Sequence, residues 1–400
     1  MVNQGIRSAK EHFHVFMKEE PVASILRWQT YVLTRGEEFV AFWKSHLQSK
    51  ERHVLFILAR GFDPRMCFGL DHLLRAGGTG ARDVLLVEFS EGASSPSRVY
   101  LPFVEENLKT MNALVKGRGK ISSREVQTRS KEGHRITSRS AGNLFRRVDE
   151  FDGYTDVVLD VSAMPRAVYM PLIAKILHIF DHSPKDAPTQ PPNFHVFVWE
   201  DPALDQDIRD EGVDDTAVYL HPYTGAMDRE ATAGQPKVWI PLLGEGQRAQ
   251  LQRIHDLVVP DEICPVLPSP ALNPRRGDNL VMEYHDLLFD RLRVEPRDFL
   301  FCSEQNPFEV YRQITRAIRG YRESLSPLGG SKFVLSALSS KLLSVGALLV
   351  AYDFKTEKID IGIAHVECHG YHMDDATVKS LPKDHGEPVG LWLSGECDGR

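Results

Sequence analysis

The sequence predicts an α/β protein: two tandem Rossmann-like parallel-sheet units with an N-terminal helical segment. Three observations carry this. Short apolar runs alternate with amphipathic stretches from residue 53 onward, the pattern of parallel strands covered on both faces by crossover helices. The same order of five strand–loop–helix steps then runs twice. In each copy the fourth strand opens into a loop of small or hydroxyl residues with a basic residue: Asp160-Val161-Ser162-Ala163-Met164-Pro165-Arg166 in the first, and Ser336-Ala337-Leu338-Ser339-Ser340-Lys341 in the second.

Residues 1–50 read as a helical arm, from Phe13, Val15 and Phe16, then Ile25, Leu26 and Trp28, then Phe39, Phe42 and Trp43, with Pro21 dividing two helices. The first unit spans 51–201. Its strands are His53 to Ala59, Asp83 to Phe89, a weak one near Glu125 to Arg129, Val157 to Val161 and Phe194 to Glu200. Helices follow them, including Ser138 to Val148 and the apolar Ala167 to Phe180. Residues 202–236 are polar, lack periodicity and read as a connector. The second unit spans 237–400, with strands Lys237 to Leu243, Glu262 to Leu267, Asp298 to Cys302, Phe333 to Ala337 and Ile359 to Val366. Its helices include Phe308 to Tyr321 and the apolar Leu342 to Tyr352, and a short strand is expected at Gly390 to Leu393. Right-handed crossovers place every strand-to-helix loop on one edge of its sheet, where ligands of such folds sit.

Composition narrows the function classes. Four hundred residues suffice for two domains with full cores. At 42% hydrophobic and 26% charged the chain reads as globular, and a net charge of -7 argues against a broad duplex nucleic-acid surface. The five cysteines (Cys67, Cys264, Cys302, Cys368, Cys397) form no CxxC pair, which suits a reducing compartment, with Cys264 and Cys302 as packed core thiols. No apolar signal region opens the chain, and the apolar run Leu342 to Ala351 is too short for a bilayer. A cytoplasmic protein with no membrane partner is expected.

A strand that opens through small residues into a helix aims backbone N–H groups at one point, and a basic side chain there completes an anion site. Ser162 would hold a phosphate, Arg166 neutralise it and Asp160 orient a ribose hydroxyl; alternatively Ser162 is an N-cap and Arg166 pairs with Asp160. Ser339, Ser340 and Lys341 repeat the arrangement. Arg275 and Arg276, in a Pro/Gly loop, could clamp phosphate or form a solvated turn. Gly61 allows close backbone approach, and Phe62 could stack on a base or plug the core. Gln305 could read a base edge beside Asn306, itself an ordinary N-cap residue. Gly329-Gly330-Ser331-Lys332 lacks Walker spacing and lies before its strand. Glu88, Glu91 and Glu304 are the candidate general acids or bases. His365, His369 and His372 near Glu367 show metal-like spacing without a closed ligand set, so neither metal nor cofactor is expected.

The segment Asp160 to Arg166 resembles the strand-four motif of CARF domains, in which an acidic residue, a hydroxyl residue, small residues and a basic residue precede a helix. Ala163-Met164 stand where those domains commonly carry glycines. Gly329 to Lys332 with Ser339 to Lys341 look like a variant, and two such units in one chain resemble the layout of SAVED domains. The resemblance implies a sensor of cyclic or linear oligonucleotide messengers in prokaryotic antiviral defence, regulating a protein partner in a multi-component complex. A nucleotide or nucleoside hydrolase using Glu88, Glu91 or Glu304, and a structural subunit docking through residues 1–50, are the alternatives.

Overall fold

The computed structural model describes residues 26–89, 95–184, 190–225, 227, 230–373 and 386–398. The first unit runs β1 (Val32–Arg35), α1 (Gly36–Ser49), β2 (Val54–Ala59), α2 (Phe68–Arg75), β3 (Arg82–Phe89), α3 (Leu101–Val115), β4 (Ile121–Val126), α4 (Thr137–Ala141), β5 (Asp156–Asp160), α5 (Arg166–Asp181) and β6 (Asn193–Glu200). After α6 (Pro202–Asp207) come β7 (Ile208–Val213) and β8 (Val218–Thr224). The second unit continues β9 (Lys237–Leu242), α7 (Arg248–Val258), β10 (Glu262–Ile263), β11 (Val266–Pro268), α8 (Arg276–Glu283), β12 (Leu300–Cys302), α9 (Pro307–Ser324), β13 (Lys332–Ala337), α10 (Lys341–Thr356) and β14 (Ile361–His365). The described strands close with β15 (Cys368–Met373) and β16 (Glu387–Ser394).

Each unit is built on a mostly parallel sheet. The first is ordered β1-β16-β6-β5-β2-β3-β4, and the second β12-β11-β9-β13-β14-β8 with β10 beside β9. Within each unit the first parallel strand lies next to the fourth, β2 beside β5 and β9 beside β13. Chain order reverses at these two junctions, and there the loops after the strands part into a crevice. Strands such as Val54–Ala59 and Lys332–Ala337 are buried at every residue, because helices cover both faces.

Helices α5 and α10 are apolar on nearly all sides, so both must be enclosed. They pack on one another, and one apolar core runs through both units from Trp28 to Leu393. The two crevices therefore face each other across the α5–α10 contact. The five cysteines are free, and Cys264 and Cys302 lie in the interior. Among the described residues no helix is long and apolar enough to cross a membrane.

Two elements are shifted: the helix expected at Ser138 to Val148 ends at Ala141, and the strand expected near Glu125 to Arg129 lies at Ile121–Val126. Three further elements depart from the sequence reading. The helical pattern at Phe13 to Ile25 lies outside the described residues; of the rest, Leu26 and Trp28 sit in a turn, Val32–Arg35 is a strand, and only α1 is helical. β-Branched Val32 and Thr34 favour the extended state, and β1 gains a partner in β16. The described part of the arm joins the units rather than projecting: Trp28 meets Tyr311 edge-on at 5.2 Å, its indole donates to the Leu393 carbonyl at 3.0 Å, and Tyr31 stacks on Phe308 at 4.5 Å. The second departure is β16, which lies in the span given to the second unit but inserts in the first sheet between β1 and β6. Val389, Leu391 and Leu393 bury one face there, and a Cβ on Gly390 would come within 2.9 Å of Thr34 Oγ1. Third, the polar connector holds β7 and β8, and β8 closes the second sheet antiparallel to β14.

Candidate functional site

β5 ends at Asp160, whose carboxylate turns back to accept the Ser162 N–H at 2.9 Å. Ser162 Oγ in turn accepts the Trp199 N–H at 2.8 Å, so this hydroxyl ties the loop to β6 and does not cap α5. The N-cap position of α5 is Pro165, which supplies no side-chain bond. Arg166, the first residue of α5, does not pair with Asp160; it crosses to the second unit and donates to the Ser339 carbonyl. Its Nε has no partner, and no carboxylate among the described residues lies within ion-pair distance of it.

The second unit repeats the plan with different chemistry. Ser340 caps α10, its Oγ accepting the Leu343 N–H at 3.4 Å. Ser339 is buried and its Oγ has no partner. Close approach after the first strand falls to Gly244 rather than Gly61. A Cβ on Gly244 would come within 2.1 Å of the Leu338 carbonyl, whereas one on Gly61 would stand 3.8 Å from the Ala163 carbonyl, an ordinary contact.

Each helix start feels the charges of the opposite crevice. Lys341 comes under the field of Asp205 and Asp63, and of Arg65, at the first crevice. Burial, with Arg65 and Arg166 close by, pulls its ammonium below the ordinary lysine range. Arg65 is 2% exposed and is satisfied internally, donating to Asp63 at 2.7–3.0 Å and to Asp205 at 2.7 Å. Asn107 fixes the same loop through the Gly61 and Asp63 carbonyls. Phe62 is half-buried, packs on Tyr100 at 4.9 Å and faces Tyr371 at 6.4 Å. Beneath, burial pushes the Asp160 carboxyl up to about 7.

Arg166 lines an open cleft at the second crevice, with about 620 Å³ of space that includes open solvent. Its walls include Arg135, Arg166, Gln247, Gln250, His365 and Glu367. Burial, with Arg166 beside it, holds the His365 imidazole down to about 3, so it is neutral at physiological pH. Burial raises the Glu367 carboxyl, against the pull of the Thr137 hydroxyl at 2.9 Å and of Arg135. Gln247, Gln250 and Arg135 escaped the sequence reading: two glutamines on a helix start and an arginine in a basic loop give no local signal.

The other candidates lie elsewhere. Glu88 pairs with Arg60 at 3.1 Å, and Glu91 lies outside the described residues. Glu304 is buried against Arg276 and accepts the Leu272 N–H at 3.1 Å, so it fastens a loop. Arg276 is consumed by Glu304 and by Glu245 at 2.7 Å, while Arg275 is exposed, so the pair does not form a clamp. Gln305 offers its carbonyl to Arg35 at 3.0 Å, and Asn306 caps α9. Gly329 to Lys332 precede β13 and therefore lie at the edge opposite the cleft.

The histidines near Glu367 do not gather as metal ligands. His369 bonds Asp214 at 2.9 Å, and the one His/Asp cluster with metal-like spacing among the described residues is His46, Asp156 and His195. Asp156 there already accepts from His46 (2.8 Å), His195 (3.3 Å), Asn193 (3.0 Å) and Thr155 (2.7 Å), with Arg52 at 3.5 Å. A carboxylate so occupied and already balanced by a guanidinium is a structural knot holding α1 to the sheet. No protein-family model matches this chain, and no curated protein matches it.

Proposed function

We propose that this protein is a cytoplasmic sensor that binds a phosphate-bearing ligand, a nucleotide or a cyclic or linear oligonucleotide messenger, in the cleft between its units. The bound form then regulates a protein partner, in line with the antiviral-defence role that the CARF and SAVED resemblance implies. The observation that carries this is Arg166: a guanidinium at the start of a helix with no side-chain cap, lining the cleft, with no carboxylate among the described residues at ion-pair distance and with Nε unpartnered. A phosphate in the cleft would meet the charge and the helix end together. Gln247, Gln250 and neutral His365 supply uncharged polar contacts suited to a base or sugar. The candidate acids Glu88 and Glu304 do not line the cleft, which favours binding over hydrolysis.

A thermal-shift screen against mononucleotides, NAD, S-adenosylmethionine and cyclic oligonucleotides tests the reading. A cleft ligand at a hundred times its Kd should add about 2.7 kcal/mol of stability. The shift should vanish in Arg166→Ala and persist in Lys341→Ala. A shift that survives Arg166→Ala, or no shift with any compound, rejects the cleft as the ligand site.

A further inference from the structure

Strands β7 and β15 form a two-stranded antiparallel ribbon, from Cys368 opposite Val213 to Met373 opposite Ile208. The ribbon flanks β14 and β8 in sequence, and so belongs to the second unit, yet it lies on the first. Tyr100 OH accepts the Met373 N–H at 2.8 Å, and Ser97 Oγ accepts the Tyr371 N–H at 2.9 Å. A Cβ on Gly370 would fall within 2.8 Å of Pro96, so the approach is close. Asp210 and Cys368 of the ribbon, with Glu367 just before it, also form part of the cleft wall. The ribbon thus spans both units beside the ligand space.

Two first-unit side chains fasten its base, and the first, Thr137, donates its hydroxyl to Glu367 at 2.9 Å. Arg135 donates to Asp214 at 2.9 and 3.1 Å and stands 3.5 Å from Glu367. It also lines the cleft together with Arg166. A phosphate competes for the same guanidinium fork as a carboxylate. Burial raises the Glu367 carboxyl above its ordinary range, against the pull of Thr137 and Arg135.

We propose that Arg135 is a second anion-binding residue of the cleft, held by Asp214 and Glu367 until ligand arrives, and that its transfer to the ligand releases the β7–β15 ribbon from the first unit. This rests on the cleft being the ligand site. It gives binding there a mechanical output at the boundary between the units, since the ligand favours the state in which Arg135 has left its carboxylates.

Amide hydrogen exchange at Tyr371 and Met373 reports the ribbon's seat, because their N–H groups donate to first-unit side chains. In the full-length chain, saturating inorganic pyrophosphate or cyclic tetra-adenylate should speed both amides by about tenfold or more, the loss expected when a charge-assisted contact is given up. Asp214→Asn combined with Glu367→Gln should give the same exchange without ligand, with β5 amides still protected. Should β5 lose protection too, Asp214→Asn alone takes its place. Calorimetry on the same samples separates the two ideas. Binding that needs Arg166 but leaves ribbon exchange unchanged overturns the strap and spares the ligand site. Neither probe binding overturns both, and slow ribbon exchange in the carboxylate variants overturns the latch.

Discussion

The crevice between β2 and β5 carries its own counter-charges: Arg65 is held by Asp63 and Asp205, and Lys341 of the other unit comes under the same field. The crevice between β9 and β13 receives Arg166 and offers it a backbone carbonyl and open space. Two copies of one plan have thus taken different work. The first is closed by internal salt bridges and fixes the geometry of the junction. The second holds a cation with no carboxylate among the described residues at ion-pair distance. A buried ion pair contributes little net stability but is costly to break, whereas an unpaired cation beside solvent remains available to a ligand. Similar motifs at pseudo-equivalent loops therefore do not imply equivalent sites.

Arg65→Ala is the hardest test of this contrast. It strands Asp63 at a buried position, and should cost about 3–5 kcal/mol in a urea melt. Arg166→Ala should cost under about 1 kcal/mol in the same assay, since it removes one bond to a carbonyl. Equal losses would erase the distinction between the crevices.

Asp160 gives the next largest effect. Its folded pKa of about 7 lies above the unfolded value of 3.8, so the folded state holds the proton more tightly. Stability from this group is complete below the unfolded value, falls as pH rises toward the folded one, and is flat above it. Relative to Asp160→Asn, the wild type should therefore lose up to about 4 kcal/mol between pH 4 and pH 8. A gap that does not change with pH would mean that the carboxylate is ionised in the fold.

The smallest effect concerns the two helix starts. Ser340→Ala removes the cap of α10 and should lower stability by about 1 kcal/mol, measurable as a drop in Tm. Helix α5 has no side-chain cap to lose at Pro165. A Tm unmoved by Ser340→Ala would make the two starts equivalent after all.

The parallel strands and the two apolar helices were legible because burial on both faces writes a continuous apolar run, as in Val157-Val158-Leu159 and Phe333-Val334-Leu335. The strand-four loops were legible for the same local reason, and with them the place of Arg166 at a helix start. What each hydroxyl does was not. Ser162 serves β6 and Ser340 caps α10, a difference set by neighbours far along the chain. The ribbon was hidden because β7 and β15 are separated by more than a hundred residues and half exposed, so neither shows apolar alternation. Arg135 and Glu367 are far apart in sequence and close only in the fold, and the cleft wall could not be assembled from either segment alone.

The place of β16 has a consequence for synthesis. This strand lies between β1 and β6, so β1 has no neighbour in the sheet until residues 387–394 have left the ribosome. The whole second unit is translated while the first sheet waits with an open edge. Vectorial folding of the first unit ahead of the second is therefore barred at that edge, and a nascent chain stalled before residue 387 would expose the β6 flank to misassociation.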